Sequence, residues 1–347
     1  MRQNADKFQG FLMYESFYGL KERAFSLTPD PQFLYLNHRG RDAIKHILYG
    51  IERREGFALI VGDVGTGKTT LCWGLLERLE GKKVSTALVQ NPMLSEIDIL
   101  RSILQDLGVR PPKTGDRTGD ESSESPFDSS WLRGLDRKDL LDRLNIFLAE
   151  RAQEDIFTVL IIDESQNLSL EMLEQLRLLS NLETAKRKLL QIIFVGQLEL
   201  EEKLRLPVLR QLNQRISIRF ETKAFSRDDT EKYIRHRLVV AGGRSKVRFG
   251  TGTLYAIYKY SKGYPRLINL ICDRALLAGY TQHSYTITRK MVRSAVSSLS
   301  GKEDVGGVWR ISWKRKTLPI LAALCLLGAL FFVLMRLGMV FTKATSL

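Results

Sequence analysis

Gly62-Asp63-Val64-Gly65-Thr66-Gly67-Lys68-Thr69 fills an eight-position phosphate-loop pattern (Gly, any four residues, Gly-Lys-Thr) at every position, and Thr70 follows it. Upstream, Phe57-Ala58-Leu59-Ile60-Val61 is an apolar run short enough for a buried strand. Downstream, Thr69 to Glu80 carries Leu71, Leu75, Leu76 and Leu79 at helical spacing. The loop therefore lies between a strand and a helix, where this chemistry works. Glycines let the backbone turn so that successive N–H groups face inward, and the positive end of the new helix adds to the attraction for phosphate. The pattern predicts that residues Gly62 to Thr70 bind a nucleoside triphosphate. Lys68 would reach its β- and γ-phosphates, and the Thr69 hydroxyl would hold Mg²⁺. A turn without a ligand would have no need of Lys-Thr at that offset.

A second strand end supplies acids. Phe157-Thr158-Val159-Leu160-Ile161-Ile162 runs apolar into Asp163-Glu164. A parallel strand buried on both faces has this continuous character, and ligands of open α/β sheets gather at the strands' C-terminal ends. Two acids in a loop are ordinarily just solvated. Behind a phosphate loop and a buried run they divide into two tasks: Asp163 binds Mg²⁺ through water, and Glu164 orients and deprotonates the attacking water. Leu189 to Val195 predicts a further strand ending in Gly196-Gln197, where Gln197 is placed to sense the γ-phosphate. Val84 to Val89 and Ile216 to Phe220 read as strands too. Arg41 to Ile51, Ser95 to Leu107 with Ser95 as N-cap, Leu135 to Leu148 and Ser169 to Asn181 read as helices. The expected class is α/β with a parallel central sheet.

With 44% apolar and 27% charged residues the chain can bury a sizeable core, which excludes disorder throughout. Cys72, Cys272 and Cys325 lack zinc-ligand or Cys-x-x-Cys spacing and read as small buried residues. No secretory signal is evident at the N-terminus. Residues 1–12 read as a tail. From Met13 the text is dense in aromatics and turn formers, an opening segment expected on the outside of the core near the base of the nucleotide. Residues 110–130 are Pro, Gly, Ser, Thr and charges, a surface insertion within a nucleotide-binding domain over 13–222. Pro207 is expected to open a helix in an arginine-rich stretch. Beyond Phe225, helices at Asp228 to Val240, Thr253 to Tyr260, Pro265 to Tyr280 and Arg289 to Ser298 with no strands between them predict a small helical domain over 223–300.

Charge is unevenly placed: residues 205–300 hold 19 Lys and Arg against 5 Asp and Glu, whereas residues 1–204 hold 27 against 32. After a basic linker over 301–317, Leu318 to Met335 is eighteen residues without a charge, and the apolar character continues past Arg336 to Phe341. A helix of that length spans about 36 Å against an apolar bilayer core of about 30 Å. Trp309, Trp313 and Lys314-Arg315-Lys316 flank it as interfacial anchors. A single inner-membrane span over 318–341 is expected, with the N-terminal bulk in the cytoplasm and a short tail, 342–347, across the membrane.

The chain resembles AAA+ ATPases of the general secretion pathway protein A type, including those found near exosortase loci. The resemblance covers Met13 to about Ser300. It rests on Met13-Tyr14 with Phe17-Tyr18-Gly19-Leu20, on Pro29-Asp30-Pro31 with Phe33-Leu34-Tyr35-Leu36, and on Gly62 to Thr70. Ile162-Asp163-Glu164-Ser165-Gln166-Asn167-Leu168, Val195-Gly196-Gln197, Gln211-Leu212-Asn213-Gln214-Arg215-Ile216 and Gly263-Tyr264-Pro265-Arg266 complete it. It implies a P-loop NTPase fold of the AAA+ (ASCE) type, hydrolysis of ATP with Mg²⁺, and a ring-like homo-oligomer. It also implies a helical lid whose Arg266 contacts nucleotide in cis, and an arginine acting in trans, for which Arg215 fits better than Arg210. Full-length relatives continue past a membrane helix into a periplasmic peptidoglycan-binding domain. This sequence ends six residues past the expected span, so that role is expected of a partner protein.

The first functional expectation is a membrane-anchored ATPase driving assembly or export of an envelope or secretion component with a partner protein. The rival is a DNA-associated ATPase resembling transposition regulators, which the basic stretch favours because it can neutralise many phosphates. The membrane span counts against the rival, since the same charge can face anionic lipid. A third reading, a nucleotide-gated scaffold, has Glu164 against it.

Overall fold

The computed structural model describes residues 14–90, 95–110, 130–181, 183, 187–242 and 246–300. In chain order the elements are α1 (Glu15–Tyr18), α2 (His38–Glu52), β1 (Phe57–Gly62), α3 (Lys68–Leu79), β2 (Val84–Val89), α4 (Glu96–Asp106), α5 (Arg137–Gln153) and β3 (Phe157–Ile162). Then follow α6 (Leu170–Leu179), β4 (Leu190–Gly196), α7 (Leu198–Leu204), α8 (Arg210–Arg215), β5 (Ile216–Thr222), α9 (Arg227–Gly242), β6 (Arg248–Phe249), α10 (Thr251–Ser261), α11 (Pro265–Thr281), β7 (Thr286–Ile287) and α12 (Arg289–Ser300).

The sheet runs β2-β3-β4-β1-β5 with every pairing parallel. Its three central strands, β1, β3 and β4, are buried at every residue, which is why their sequences run apolar without alternation. Edge strand β5 alternates buried and wet residues instead. Side chains leave a strand on alternate faces, so each central strand feeds two cores. Phe57, Leu59, Leu160, Ile162 and Phe194 pack with leucines and isoleucines of α4 to α8. Ala58, Ile60, Val159, Ile161 and Val195 pack with α2 and α3 on the other face. The fold is thus an α/β sandwich with a parallel sheet, as expected.

Register decides where the polar strand ends meet. Ile60 pairs with Val195 and Val61 with Gly196, while Ile162 pairs with Phe194, so the phosphate loop, Asp163-Glu164 and Gly196-Gln197 leave the sheet at one edge. Capping supports the helices as the sequence suggests: Ser95 and Ser169 accept from Asp98 N and Met172 N, and Asp136 with Asp139 closes a capping box on α5.

Three features depart from the sequence expectations. Pro207 opens a single 3₁₀ turn, Pro207–Leu209, and α8 begins only at Arg210, because Leu209 breaks the helical dihedrals between them. The helical region is not strand-free: β6 and β7 form a two-residue parallel pair, too short to leave a period in the sequence. The opening aromatics do not all turn toward the nucleotide end. Tyr18 is fully buried against α11, its hydroxyl donating to the carbonyls of Leu276 (3.0 Å) and Ser284 (3.2 Å), and the Tyr14 hydroxyl donates to Asp273. Contacts group the chain up to Val292 as one unit and the remainder from Arg293 as another. The expected N-terminal tail, residues 111–129 of the insertion, the basic linker, the span over 318–341 and the last six residues lie outside the described residues. Among the described residues no helix is long and apolar enough to cross a membrane.

Candidate nucleotide site

A cavity of about 410 Å³ opens at the C-terminal edge of the sheet. Val64 to Thr70 form its floor, Glu164 and Gln197 one wall, and Arg266 with Asn269 another, while Ser26 to Leu36 close the far end. The second half of the aromatic segment therefore does line the cavity, although its first half packs on α11.

The loop is shaped by two glycines in left-handed conformation, Gly65 (φ 79°) and Gly67 (φ 97°), which a side chain would strain. A Cβ on Gly65 would also lie 3.1 Å from Arg266 Cβ, so the first turn of α11 rests directly on the loop. Pro265 at the first position of that helix presets its dihedrals and places Arg266 there. A second tie joins the same parts: the Tyr264 hydroxyl donates to Asp63 Oδ2 at 2.8 Å, and that bond holds the Tyr264 pKa above the usual tyrosine value. The loop is anchored below as well, Thr66 Oγ1 lying 2.7 Å from Thr222 Oγ1 at the end of β5.

Lys68 is only 6% exposed, and its Nζ donates to the carbonyls of Gly62 (2.9 Å) and Asp63 (3.0 Å) at the mouth of the loop. Burial pushes its pKa down, and the carboxylates of Glu164, Asp163 and Asp63 oppose that push. Asp163 is buried behind Thr69, whose hydroxyl donates to its Oδ2 at 2.8 Å. Burial raises its carboxyl above the usual range, while the bonds from Thr69 and from the Glu164 N–H pull it back. A hydroxyl and a carboxylate in contact are hard oxygen donors, a set that suits Mg²⁺ and leaves further positions to phosphate and water. The inward-facing loop, the lysine and this oxygen pair together fit a nucleotide with its metal.

Glu164 takes a left-handed conformation (φ 54°, ψ 33°), uncommon outside glycine and asparagine. Its Oε2 accepts from Gln166 Nε2 at 2.5 Å, and Gln166 Oε1 in turn accepts the Gln197 N–H at 3.0 Å. Sequence reading assigned no role to Gln166, Tyr264 or Thr222. Gln166 and Tyr264 lie in runs that carry the family resemblance, Ile162 to Leu168 and Gly263 to Arg266, while Thr222 lies past the strand expected over Ile216 to Phe220 and had no signal.

Arg215 is not in this cavity. It sits exposed at the end of α8, donating to Asn181 Oδ1 and, at 3.5 Å, to Ser180 Oγ. The structure therefore brings together the loop, Thr69 with Asp163, Glu164, Gln197 and Arg266, and leaves Arg215 apart.

Residues 51–204 match the family model described as an AAA domain. General secretion pathway protein A of Aeromonas hydrophila is 39% identical over 294 residues, which is 85% of this chain and 50% of that protein. The chain is an AAA+ ATPase of the general secretion pathway protein A type. It spans half the length of that curated relative. Solved structures share the fold of this AAA+ ATPase. The ORC2 protein of Aeropyrum pernix in its ADPNP-ADP complexes superposes with a TM-score of 0.61 at 19% identity, covering 82% of this chain and 74% of that one. Cdc6p of Pyrobaculum aerophilum gives 0.60 at 19% identity, over 79% and 70%. The Aeropyrum pernix ORC1 protein in complex with DNA gives 0.57 at 17%, over 80% and 69%. At such identities the likeness concerns the fold of the AAA+ ATPase alone.

Proposed function

We propose that this AAA+ ATPase is anchored in the inner membrane, assembles with copies of itself and couples ATP hydrolysis to assembly or export of an envelope or secretion component. The observation that carries the catalytic part is the convergence of Lys68, Thr69, Glu164 and Gln197 on one cavity, with Asp163 bonded behind Thr69 and Arg266 against Gly65.

The residues divide the work by position. Backbone N–H groups of the loop and the Lys68 ammonium hold phosphate charge, and Thr69 and Asp163 hold Mg²⁺, which when bound neutralises charge on the phosphates. Glu164 orients water and takes its proton, and Gln197 contacts the terminal phosphate from the end of β4. Arg266 reports the nucleotide to the lid in cis. Arg215, exposed, bonded to Asn181 and Ser180 and outside its own chain's cavity, would exchange those bonds for a neighbouring copy's nucleotide in a homo-oligomer with shared sites. Anchoring rests on the apolar sequence from Leu318 to Phe341 and its Trp and Lys-Arg flank, and the secretion assignment on the relative's name.

ATP binding and turnover by the full chain test this reading. Lys68→Ala abolishes nucleotide binding, whereas Glu164→Gln binds and does not turn over, because holding phosphate and activating water are separate tasks. Undiminished turnover in Glu164→Gln sinks the base assignment. Arg215→Ala is inactive alone and partly rescued by mixing with Glu164→Gln subunits, and no recovery in any mixture makes Arg215 merely structural. Alkaline carbonate extraction of membranes leaves the protein in the pellet, and release into the supernatant overturns the anchor.

The basic stretch from 205 to 300 favours a second reading, binding to DNA. It requires ATP-dependent submicromolar affinity for duplex at physiological salt, well beyond ordinary nonspecific binding of about 10⁻⁴ to 10⁻⁶ M. Binding that is weak, ATP-independent and lost with salt leaves the basic face to anionic lipid and a protein partner.

A further inference from the structure

Between the end of β3 and the end of β4 lies one carboxamide that touches both catalytic corners. Gln166 Nε2 donates to Glu164 Oε2 at 2.5 Å, and Gln166 Oε1 accepts the backbone N–H of Gln197 at 3.0 Å. The orientation of the amide follows from its neighbours. A flipped group would set oxygen against the Glu164 carboxylate and nitrogen against the Gln197 N–H, two acceptors and two donors face to face.

The rest of the turn fixes this carboxamide in place. Ser165–Asn167 is a single 3₁₀ turn, and the Ser165 hydroxyl donates to Ile162 O at 2.6 Å. From α7, Lys203 Nζ donates to the carbonyls of Gln166 (2.7 Å) and Leu168 (2.8 Å). The end of β4 is cut to fit: a Cβ on Gly196 would lie 3.0 Å from Gln166 Oε1 and 2.9 Å from Leu200 Cδ2, so a side chain there would push the carboxamide away.

We propose that Gln166 is a positioning residue that holds the Glu164 carboxylate and couples it to the strand end bearing Gln197. A displacement of Gln197 at the terminal-phosphate side reaches Glu164 through one rigid planar group. Water activation is thereby tied to what Gln197 senses. The inference rests on Glu164 acting as the base.

Three variants of the full-length protein separate the two bonds from simple packing. Gln166→Met fills nearly the same volume and removes both bonds. Gln166→Glu keeps an acceptor for the Gln197 N–H but turns an acceptor toward Glu164. Glu164→Gln is the reference. The expected result is a fall in kcat of about ten-fold or more for Gln166→Met, the scale of one hydrogen bond to a charged group, with at least as large a fall for Gln166→Glu. The KM for ATP and the Kd for a fluorescent ADP analogue stay within about two-fold of the parent, because the loop and Lys68 are untouched. A crystal structure of nucleotide-free Gln166→Met is expected to show the Glu164 carboxylate displaced. A kcat within two-fold of the parent, or an ADP affinity that falls in step with kcat, overturns the coupling. If Glu164→Gln turns over normally, the base assignment falls and the coupling with it; if Glu164→Gln is inactive while Gln166→Met is unimpaired, only the coupling falls.

Discussion

The two walls of the nucleotide cavity are built in different ways. On the strand side, Thr69–Asp163 and Glu164–Gln166–Gln197 are set by the register of β1, β4 and β3, three strands buried at every residue. On the lid side, Tyr264 and Arg266 reach the loop across a separation of about two hundred residues, through one hydrogen bond and one close contact. Moving a strand end means disturbing both cores of the sheet, which are packed at solid-like density. The helical region meets the loop itself through a single exposed bond and a van der Waals contact, while its other ties, such as Asn269 Nδ2 to Ser26 O and the Tyr14 hydroxyl to Asp273, run to the opening segment. On the proposed function, the strand wall suits chemistry that needs fixed geometry, and the lid wall suits motion that follows the nucleotide.

The contrast predicts that damage to the strand wall shows in kcat and damage to the lid wall in affinity. The largest effect is expected from Thr69→Val, which keeps the shape of the side chain and removes the hydroxyl that contacts Asp163 Oδ2. If Thr69 holds Mg²⁺ as proposed, loss of its oxygen is expected to lower kcat by about 10- to 100-fold and to raise the Mg²⁺ concentration needed for half-maximal turnover. A normal Mg²⁺ titration would place the metal elsewhere and weaken the distinction between the walls. Next comes Arg266→Ala. Arg266 is an exposed residue, so the expected loss is near the lower end for a charge-assisted contact, about ten-fold in ATP affinity with a smaller change in kcat. A loss confined to kcat would instead put Arg266 with the catalytic wall.

The sequence made the strand wall legible because each of its residues follows an apolar run: Gly62 to Thr70 after Phe57–Val61, Asp163-Glu164 after Phe157–Ile162, Gln197 after Leu190–Gly196. A short apolar run without alternation, bounded by turn formers, fits a strand covered on both faces, and the polar residue that ends such a strand stands at the sheet's edge. The lid wall was legible only in part. Pro265 at a helix start marked Arg266, but nothing local pairs Tyr264 with Asp63, since that bond exists only once the lid has docked. The same holds for Gln166, whose spacing from Glu164 is visible in the sequence while its bond to Gln197 depends on β4 lying beside β3. Tyr18 illustrates the limit from another direction. An aromatic near the N-terminus gives no sign that Gly279, where a Cβ would come within 2.3 Å of its hydroxyl, lies against it.

The smallest effect separates the walls most sharply. Tyr264→Phe removes one hydroxyl and leaves the ring, Pro265 and Arg266 as they are. The lost bond runs to an exposed carboxylate, where water replaces most of its strength, so the expected cost is about 1 kcal/mol, or roughly five-fold. If the bond closes the lid on the loop, that cost appears as faster release of a fluorescent ADP analogue and a matching rise in Kd, with single-turnover hydrolysis of pre-bound ATP unchanged. Asp63→Asn leaves an acceptor for the same hydroxyl but no charge, and is expected to fall between the parent and Tyr264→Phe. The double variant should then lose no more than Tyr264→Phe alone, because both changes act on one bond. Additive losses would mean that Asp63 and Tyr264 serve the nucleotide separately. A slower single turnover in Tyr264→Phe would mean that the lid shapes the chemistry as well as the residence time, and the division of labour between the walls would have to be given up.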